Sequence, residues 1–165
     1  MTQDPGAVNG ETLTEERFAE IDLATFLAMV SEGTEMVTET EDILRGAETG
    51  ITAKDWDVLA FISTMGPSRP SQVLRRVALT SRPQTLSSIL GRLEKRGLVT
   101  RTIHPDDSRG VLVEATTEGT AMVDAVFPLI ARRIVGPFAS HYTDDELKTL
   151  ATLLNRVSDR GRLAL

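Results

Sequence analysis

Apolar residues at Leu86, Ile89, Leu90 and Leu93 recur at i, i+3, i+4 and i+7, the period of a helix with one buried face. The other face carries Gln84, Ser87, Ser88, Arg92 and Lys95. Pro83 suits a first helical turn, and Ser81-x-x-Gln84 offers a capping box. Gly97 is placed to end this helix. Residues 98–104 then read as a strand, 105–110 as a charged turn and 111–115 as the returning strand.

Upstream, Thr52 is the expected N-cap of a helix over residues 53–65. Trp56, Val58, Leu59, Ala60, Phe61 and Ile62 cover most of its circumference, which puts it at the centre of the fold. Gly66-Pro67 ends it. A short helix over 70–77 turns Val73, Leu74 and Val77 inward. Thr12-x-x-Glu15 opens a long helix over 15–44, with Phe18, Ile21, Phe26, Leu27, Val30, Val37, Ile43 and Leu44 along it and Gly33 as a possible bend. Downstream, Thr116 caps a helix over 117–135 that Pro128 should kink, and Gly136-Pro137 breaks the chain. Thr143-x-x-Glu146 caps a last helix over 144–160, with Leu147, Leu150, Leu153, Leu154 and Val157 on one face.

The expected class is mainly α with a small β-hairpin wing: a winged helix-turn-helix, dimerised through N- and C-terminal helices. The expected division is a disordered tail (1–12), an N-terminal dimerisation helix region (13–46), a winged helix-turn-helix DNA-binding module (51–116) and C-terminal dimerisation helices (117–161). The terminal helices carry apolar stripes that a small central module cannot cover alone, so a second copy is the expected partner.

Charge sharpens this picture. The 165-residue chain has a net charge of −6. From Arg69 to Arg109, however, nine basic residues face only three acidic ones (Glu94, Asp106, Asp107). A basic segment in an acidic body can contact phosphates locally while the body discourages indiscriminate binding. The second helix of a helix-turn-helix lies in the major groove with its N-terminal residues at the base edges. Here these are Arg82, Gln84, Thr85, Ser87 and Ser88, with Arg69 and Arg92 as further cationic contacts. Glutamine can pair with adenine N6/N7 and arginine with guanine O6/N7. In the turn, Asp107 can hold the loop and steer Arg109, which is placed for a narrow, electronegative minor groove. The plain alternative for that pair is a surface ion pair of small energy.

The chain has no cysteine, which excludes disulfides, thiolate zinc sites and thiol redox switching. His104 and His141, its two histidines, lack the spacing of a helical metal site. No nucleophile–base set or phosphate-binding glycine loop occurs, so neither an enzyme nor a cofactor is expected. The start lacks a signal peptide's basic and apolar blocks, and no run suits a membrane span; a cytoplasmic protein is expected.

The ordered set of segments resembles the MarR family of bacterial transcriptional regulators. It comprises Leu90-Gly91-Arg92-Leu93-Glu94-Lys95-Arg96-Gly97-Leu98-Val99-Thr100-Arg101, then Asp107-Ser108-Arg109, then Thr116-Thr117-Glu118-Gly119. Tyr142 to Leu147 and the stretch from Ile51 to Leu59 add to it, so the likeness spans residues 50–157. The stretch between Leu79 and Thr85 is longer than the family's common pattern. The resemblance implies a homodimer that binds double-stranded DNA, usually as a repressor, and leaves it when a small, often phenolic, molecule binds. Trp56 offers an aromatic wall for such an effector, although a core tryptophan is the plainer assignment. The competing functions are a winged-helix protein-interaction module and a ligand-independent architectural DNA binder.

Overall fold

The structure is a computed structural model and describes residues 7–8, 11–12, 20–77, 82–104 and 107–162; within these, side chains are described for 24–77, 82–104, 107 and 110–154. The chain divides into two units, residues 1–38 and 39–165.

In the first unit, β1 (Ala7–Val8) and β2 (Glu11–Thr12) pair antiparallel, with Ala7 opposite Thr12. The helix α1 (Glu20–Gly46) begins in this unit and runs unbroken through Gly33. Glu15 and Phe18 lie outside the described residues. Phe26, Leu27, Met29 and Val30 are exposed on the helix.

The second unit is built around α2 (Ala53–Met65). Thr52 is its N-cap, and the capping box closes with Asp55: the Thr52 hydroxyl accepts from the Asp55 N–H, and the Asp55 carboxylate accepts from the Thr52 N–H. Val58, Leu59 and Ile62 are fully buried, and α2 packs on α3 (Pro70–Arg76), α4 (Pro83–Lys95), β4 (Asp107–Ala115) and α5 (Thr117–Ile130). A helix apolar nearly all round is thus surrounded nearly all round.

On α4 the buried positions are Leu86, Ile89, Leu90 and Leu93, as the periodicity requires. Its start differs from expectation. Arg82, with φ −111° and ψ 132°, holds the N-cap position and makes no side-chain capping bond. The reason is Pro83: a residue before proline is driven out of the helical region, so position 82 must be the extended cap and Pro83 the first helical residue. Ser81 lies outside the described residues. The helix ends as expected, with Gly97 at φ +71°.

β3 (Val99–His104) and β4 form the wing, with Val99 opposite Ala115 and His104 opposite Asp107. The second strand is longer than its apolar pattern suggested. Residues 107–110, expected in the turn, are in the strand, and the register shifts between Ile103 and His104. Backbone pairing reaches past the last alternating apolar residue because ladder bonds do not depend on side-chain burial. At the wing's inner end, Ser68 and Val113 exchange both backbone bonds (3.0 and 2.9 Å), joining the α2–α3 turn to β4.

The segment Thr116-Thr117-Glu118-Gly119 is a joint. The Thr116 hydroxyl accepts from the Gly119 N–H at 3.0 Å and donates to the Gly97 carbonyl at 2.6 Å. The Thr116 N–H donates to the Leu98 carbonyl at 3.1 Å. Beyond α5 the chain does not break at Gly136-Pro137. A π-helical stretch (Ala131–Val135) leads into α6 (Gly136–Ser140). Pro128 and Pro137 each remove one helical hydrogen bond, and Pro137 would crowd the carbonyl four residues back in an α-turn. The wider turn relieves this, with the Gly136 N–H donating to Ala131. The last helix, α7 (Asp144–Arg162), carries the expected capping box. The Glu146 carboxylate accepts from the Thr143 N–H (2.8 Å) and hydroxyl (2.9 Å), and these bonds hold it below the usual carboxylate range. No helix among the described residues is long and apolar enough to cross a membrane.

Candidate nucleic-acid interface

The outer face of α4 is polar along its whole length. Arg82, Gln84, Ser87, Ser88, Gly91, Arg92 and Lys95 are exposed, and Thr85 is half-buried. Three features make this face. The apolar stripe takes the other side into the core; the proline start fixes where the first turn lies; and no bulky residue stands between Gln84 and Arg92 except those facing inward. Small residues on such a face suit close approach to a groove, and glutamine, serine and threonine are side-chain types that can bond base edges.

The basic residues of the module split into two groups. Arg69, at the start of α3, pairs with Asp107 of the wing at 3.2 Å. Arg101 of β3 pairs with Glu94 of α4 at 3.1 Å. Arg92 pairs with Asp55 of α2 at 2.5 Å. Arg96 donates to the carbonyls of Gly50 and Thr49, the latter at 2.6 Å. By contrast, Arg75, Arg76, Arg82 and Lys95 are exposed and make no ion pair among the described residues. Sequence pattern could not separate the groups, because charge alone does not tell which side of a helix meets a carboxylate across space.

The structure brings Arg69 to Asp107, so the carboxylate ties α3 to the wing. The backbone of Arg109 is in β4, and its side chain lies outside the described residues. Trp56, 7% exposed, is packed in the core on α2. Asp55 was not anticipated at all. The signal was available in Thr52-x-x-Asp55, a capping box with the shorter acid, followed at long range by an arginine. His104 is half-buried on β3 and His141 is exposed after α6; among the described residues no cluster of three His, Cys, Asp or Glu could hold a metal.

A cleft of about 320 Å³ opens between α3, α4 and β3. Pro70, Leu74, Leu86 and Leu90 supply apolar walls, and Ser87 and Arg101 are polar groups on its lining. Trp56 does not line it.

Comparison with known proteins matches this geometry. A family model described as MarR family matches residues 49–110. The multiple antibiotic resistance protein MarR of Escherichia coli is 35% identical over 107 residues, 65% of this chain and 73% of the relative. A cysteine-to-serine mutant of E. coli MarR, solved in complex with operator DNA, superposes with a TM-score of 0.65 at 26% identity, covering 88% of this chain and 99% of that one. NadR, solved in complex with 4-hydroxyphenylacetate, shares the fold with a TM-score of 0.70 at 22% identity, covering 90% and 97%. A winged helix-turn-helix with an exposed polar face on α4, at this level of identity to a known member, places the chain in the MarR family of DNA-binding transcriptional regulators.

Proposed function

We propose that the protein is a homodimeric repressor that reads a pseudo-palindromic operator and is released from it by a small aromatic acid. The observation that carries the DNA-reading part is the exposed polar face of α4, with the wing beside it. Arg82, Gln84, Thr85, Ser87 and Ser88 face the bases, and Arg109 on the wing enters the adjoining minor groove. Residues 51–116 form the DNA-binding module. Residues 13–46 and 117–161 form the dimer, which would cover the exposed Phe26, Leu27, Val30, Phe127, Leu153 and Leu154. Two such modules on one duplex face sit about one helical turn apart, roughly 34 Å. The cytoplasm is the compartment in which such a regulator works.

The effector's place in this proposal is the cleft between α3, α4 and β3, not the surroundings of Trp56. Its volume is that of a small-ligand site, and its apolar walls suit a flat ring. The Arg101 guanidinium suits a carboxylate, which would take the place of Glu94. A ligand seated against Ser87 meets the same helix that reads DNA, so the two compete for one surface. That a protein of the same fold holds 4-hydroxyphenylacetate supports this ligand class. A hundredfold preference of the ligand for the DNA-free state corresponds to about 2.7 kcal/mol, enough to empty a modest operator.

The test uses a duplex that the protein itself selects from a random pool. Fluorescence anisotropy should show a specific affinity well above that for poly(dI-dC), release by millimolar benzoate or 4-hydroxyphenylacetate, and loss of that release in Arg101→Gln. Equal affinity for both DNAs would favour an architectural binder; no DNA binding would favour a protein-interaction module. Undiminished release in the variant would remove the cleft from the proposal, and a folded monomer by sedimentation would remove the dimer.

A further inference from the structure

Arg92, in the last turn of α4, and Arg96, its C-cap, are four residues apart and so lie on one side of the helix end. Both belong to the basic stretch that sequence alone assigns to phosphates. Their guanidinium groups are engaged by the protein itself. Arg92 donates to Asp55 Oδ1 at 2.5 Å, while Asp55 Oδ2 accepts from the Thr52 N–H at 3.1 Å and the Thr52 hydroxyl at 2.9 Å. Asp55 is 4% exposed. A carboxylate this buried needs partners for its charge and lone pairs, and here Arg92 and Thr52 provide them. Arg96 donates to the carbonyls of Gly50 and Thr49. The Thr49 hydroxyl donates to the Leu44 carbonyl at 3.0 Å, and Glu41 accepts from the Ala53 N–H at 2.8 Å. An unbroken set of bonds thus runs from the end of α1, through residues 49–55, to the reading helix.

We infer that Asp55, Arg92 and Arg96 are positioning residues for DNA recognition: they fix the angle of α4 on the α1–α2 turn and do not serve as phosphate-neutralising cations. An Arg92 that swung to a phosphate would strand the buried Asp55 carboxylate without its counter-charge. Held as it is, its charge is already matched. Base-edge contacts tolerate displacements of only about half an ångström, whereas phosphate contacts adapt along the backbone. Loosening this anchor therefore costs sequence-specific binding and spares non-specific binding.

The two roles differ in sign for one substitution. Asp55→Asn removes a negative charge from a DNA-binding module, so charge alone would tighten binding. Positioning requires that it weaken binding. Anisotropy titrations would use a duplex selected by the wild-type chain from a random pool, with poly(dI-dC) as the non-specific DNA, across a salt series. Asp55→Asn and Arg92→Gln should each lower affinity for the selected duplex about tenfold, the size of one lost base contact. Their affinity for poly(dI-dC) should stay within about twofold and the salt slope within about half a unit of wild type. The double variant should be no weaker than the weaker single variant, because both break one anchor. Arg92→Lys, which keeps the charge and can still reach Asp55, should recover part of the specific affinity. Tighter binding by Asp55→Asn would overturn the inference. So would an Arg92→Gln variant that weakens both DNAs equally and lowers the slope by about one unit. If either variant melts below the assay temperature, Asp55→Glu decides: it preserves charge, so an unchanged affinity for the selected duplex refutes positioning, and a selective loss supports it.

Discussion

Replacing Gly119 by alanine tests the joint between the wing and α5. A Cβ built on Gly119 falls well inside van der Waals contact of the Leu98 carbonyl oxygen, 3.0 Å from the Leu98 carbonyl carbon and 3.2 Å from Leu59 Cδ1. The first two atoms are backbone and cannot rotate away. Leu98 also accepts from the Thr116 N–H at 3.1 Å, and Thr116 in turn caps the helix through Gly119, so a shift of either partner strains the cap. Overpacking a tight site costs about 1–3 kcal/mol, and loss of one hydrogen bond adds about 1 kcal/mol. Alanine's better helix propensity returns less than about 1 kcal/mol. The net cost is therefore about 1–3 kcal/mol, which at roughly 2–4 °C per kcal/mol for a chain of this size lowers the melting temperature by about 2–12 °C. Differential scanning calorimetry at fixed protein concentration reads this directly. Gly91→Ala is the internal control: it adds the same methyl group to an open helical position with nothing within 4 Å, and should leave stability unchanged or slightly raised. If Gly119→Ala melts with the wild type, the close approach of α5 to Leu98 is not a constraint and the account of the Thr-x-x-Gly segment is wrong.

Arg109→Ala should weaken binding to the selected duplex and lower the salt slope by about one unit with no change in melting temperature; unchanged affinity would show that the wing does not engage DNA. Thr143→Ala should raise the Glu146 carboxyl toward the ordinary carboxylate range, because the hydroxyl bond is lost while the backbone N–H remains. The sign follows from the depressed folded value. The capping contribution is fully present at neutral pH and is lost as pH falls through that value, so the variant should differ least from wild type in acid. A carbon-detected NMR titration showing the same Glu146 midpoint in both proteins would refute it.

Most of the fold was legible because burial follows period. The stripe of Leu86, Ile89, Leu90 and Leu93 and the all-round apolar character of the Trp56 helix each determine which atoms leave water. Element ends were legible where local chemistry decides them, as at Thr52, Gly97, Thr116 and Thr143. At two other ends two local rules compete. Ser81 looked like a cap, but Pro83 dictates the conformation of its own neighbour. Gly136-Pro137 looked like a stop, but a widened turn absorbs the proline. Within the site, the exposed set on α4 was readable from its face. The partners of Arg69, Arg92, Arg96 and Arg101 were not, since each lies on another element, and for Arg92 the partner is 37 residues away.

The π-helical stretch also works as a phase shifter. Along α5 the inward positions run Val123, Val126, Ile130, and the next is the half-buried Ile134. An uninterrupted α-frame of 3.6 residues per turn would hand the following inward place to residue 137 or 138, with the average falling between them. The single extra residue accommodated by the wide turn settles this in favour of Phe138, which is half-buried, and leaves Pro137 facing outward. Phe138 then lies with its ring centre 5.2 Å from that of Tyr142 at a tilt of 49°, an aromatic contact just before the final helix. Frame counting across this region therefore favours the later of those two positions. A homologue lacking one residue between 131 and 135 would present a different edge of its helix to whatever that aromatic pair packs against, even with every other residue identical.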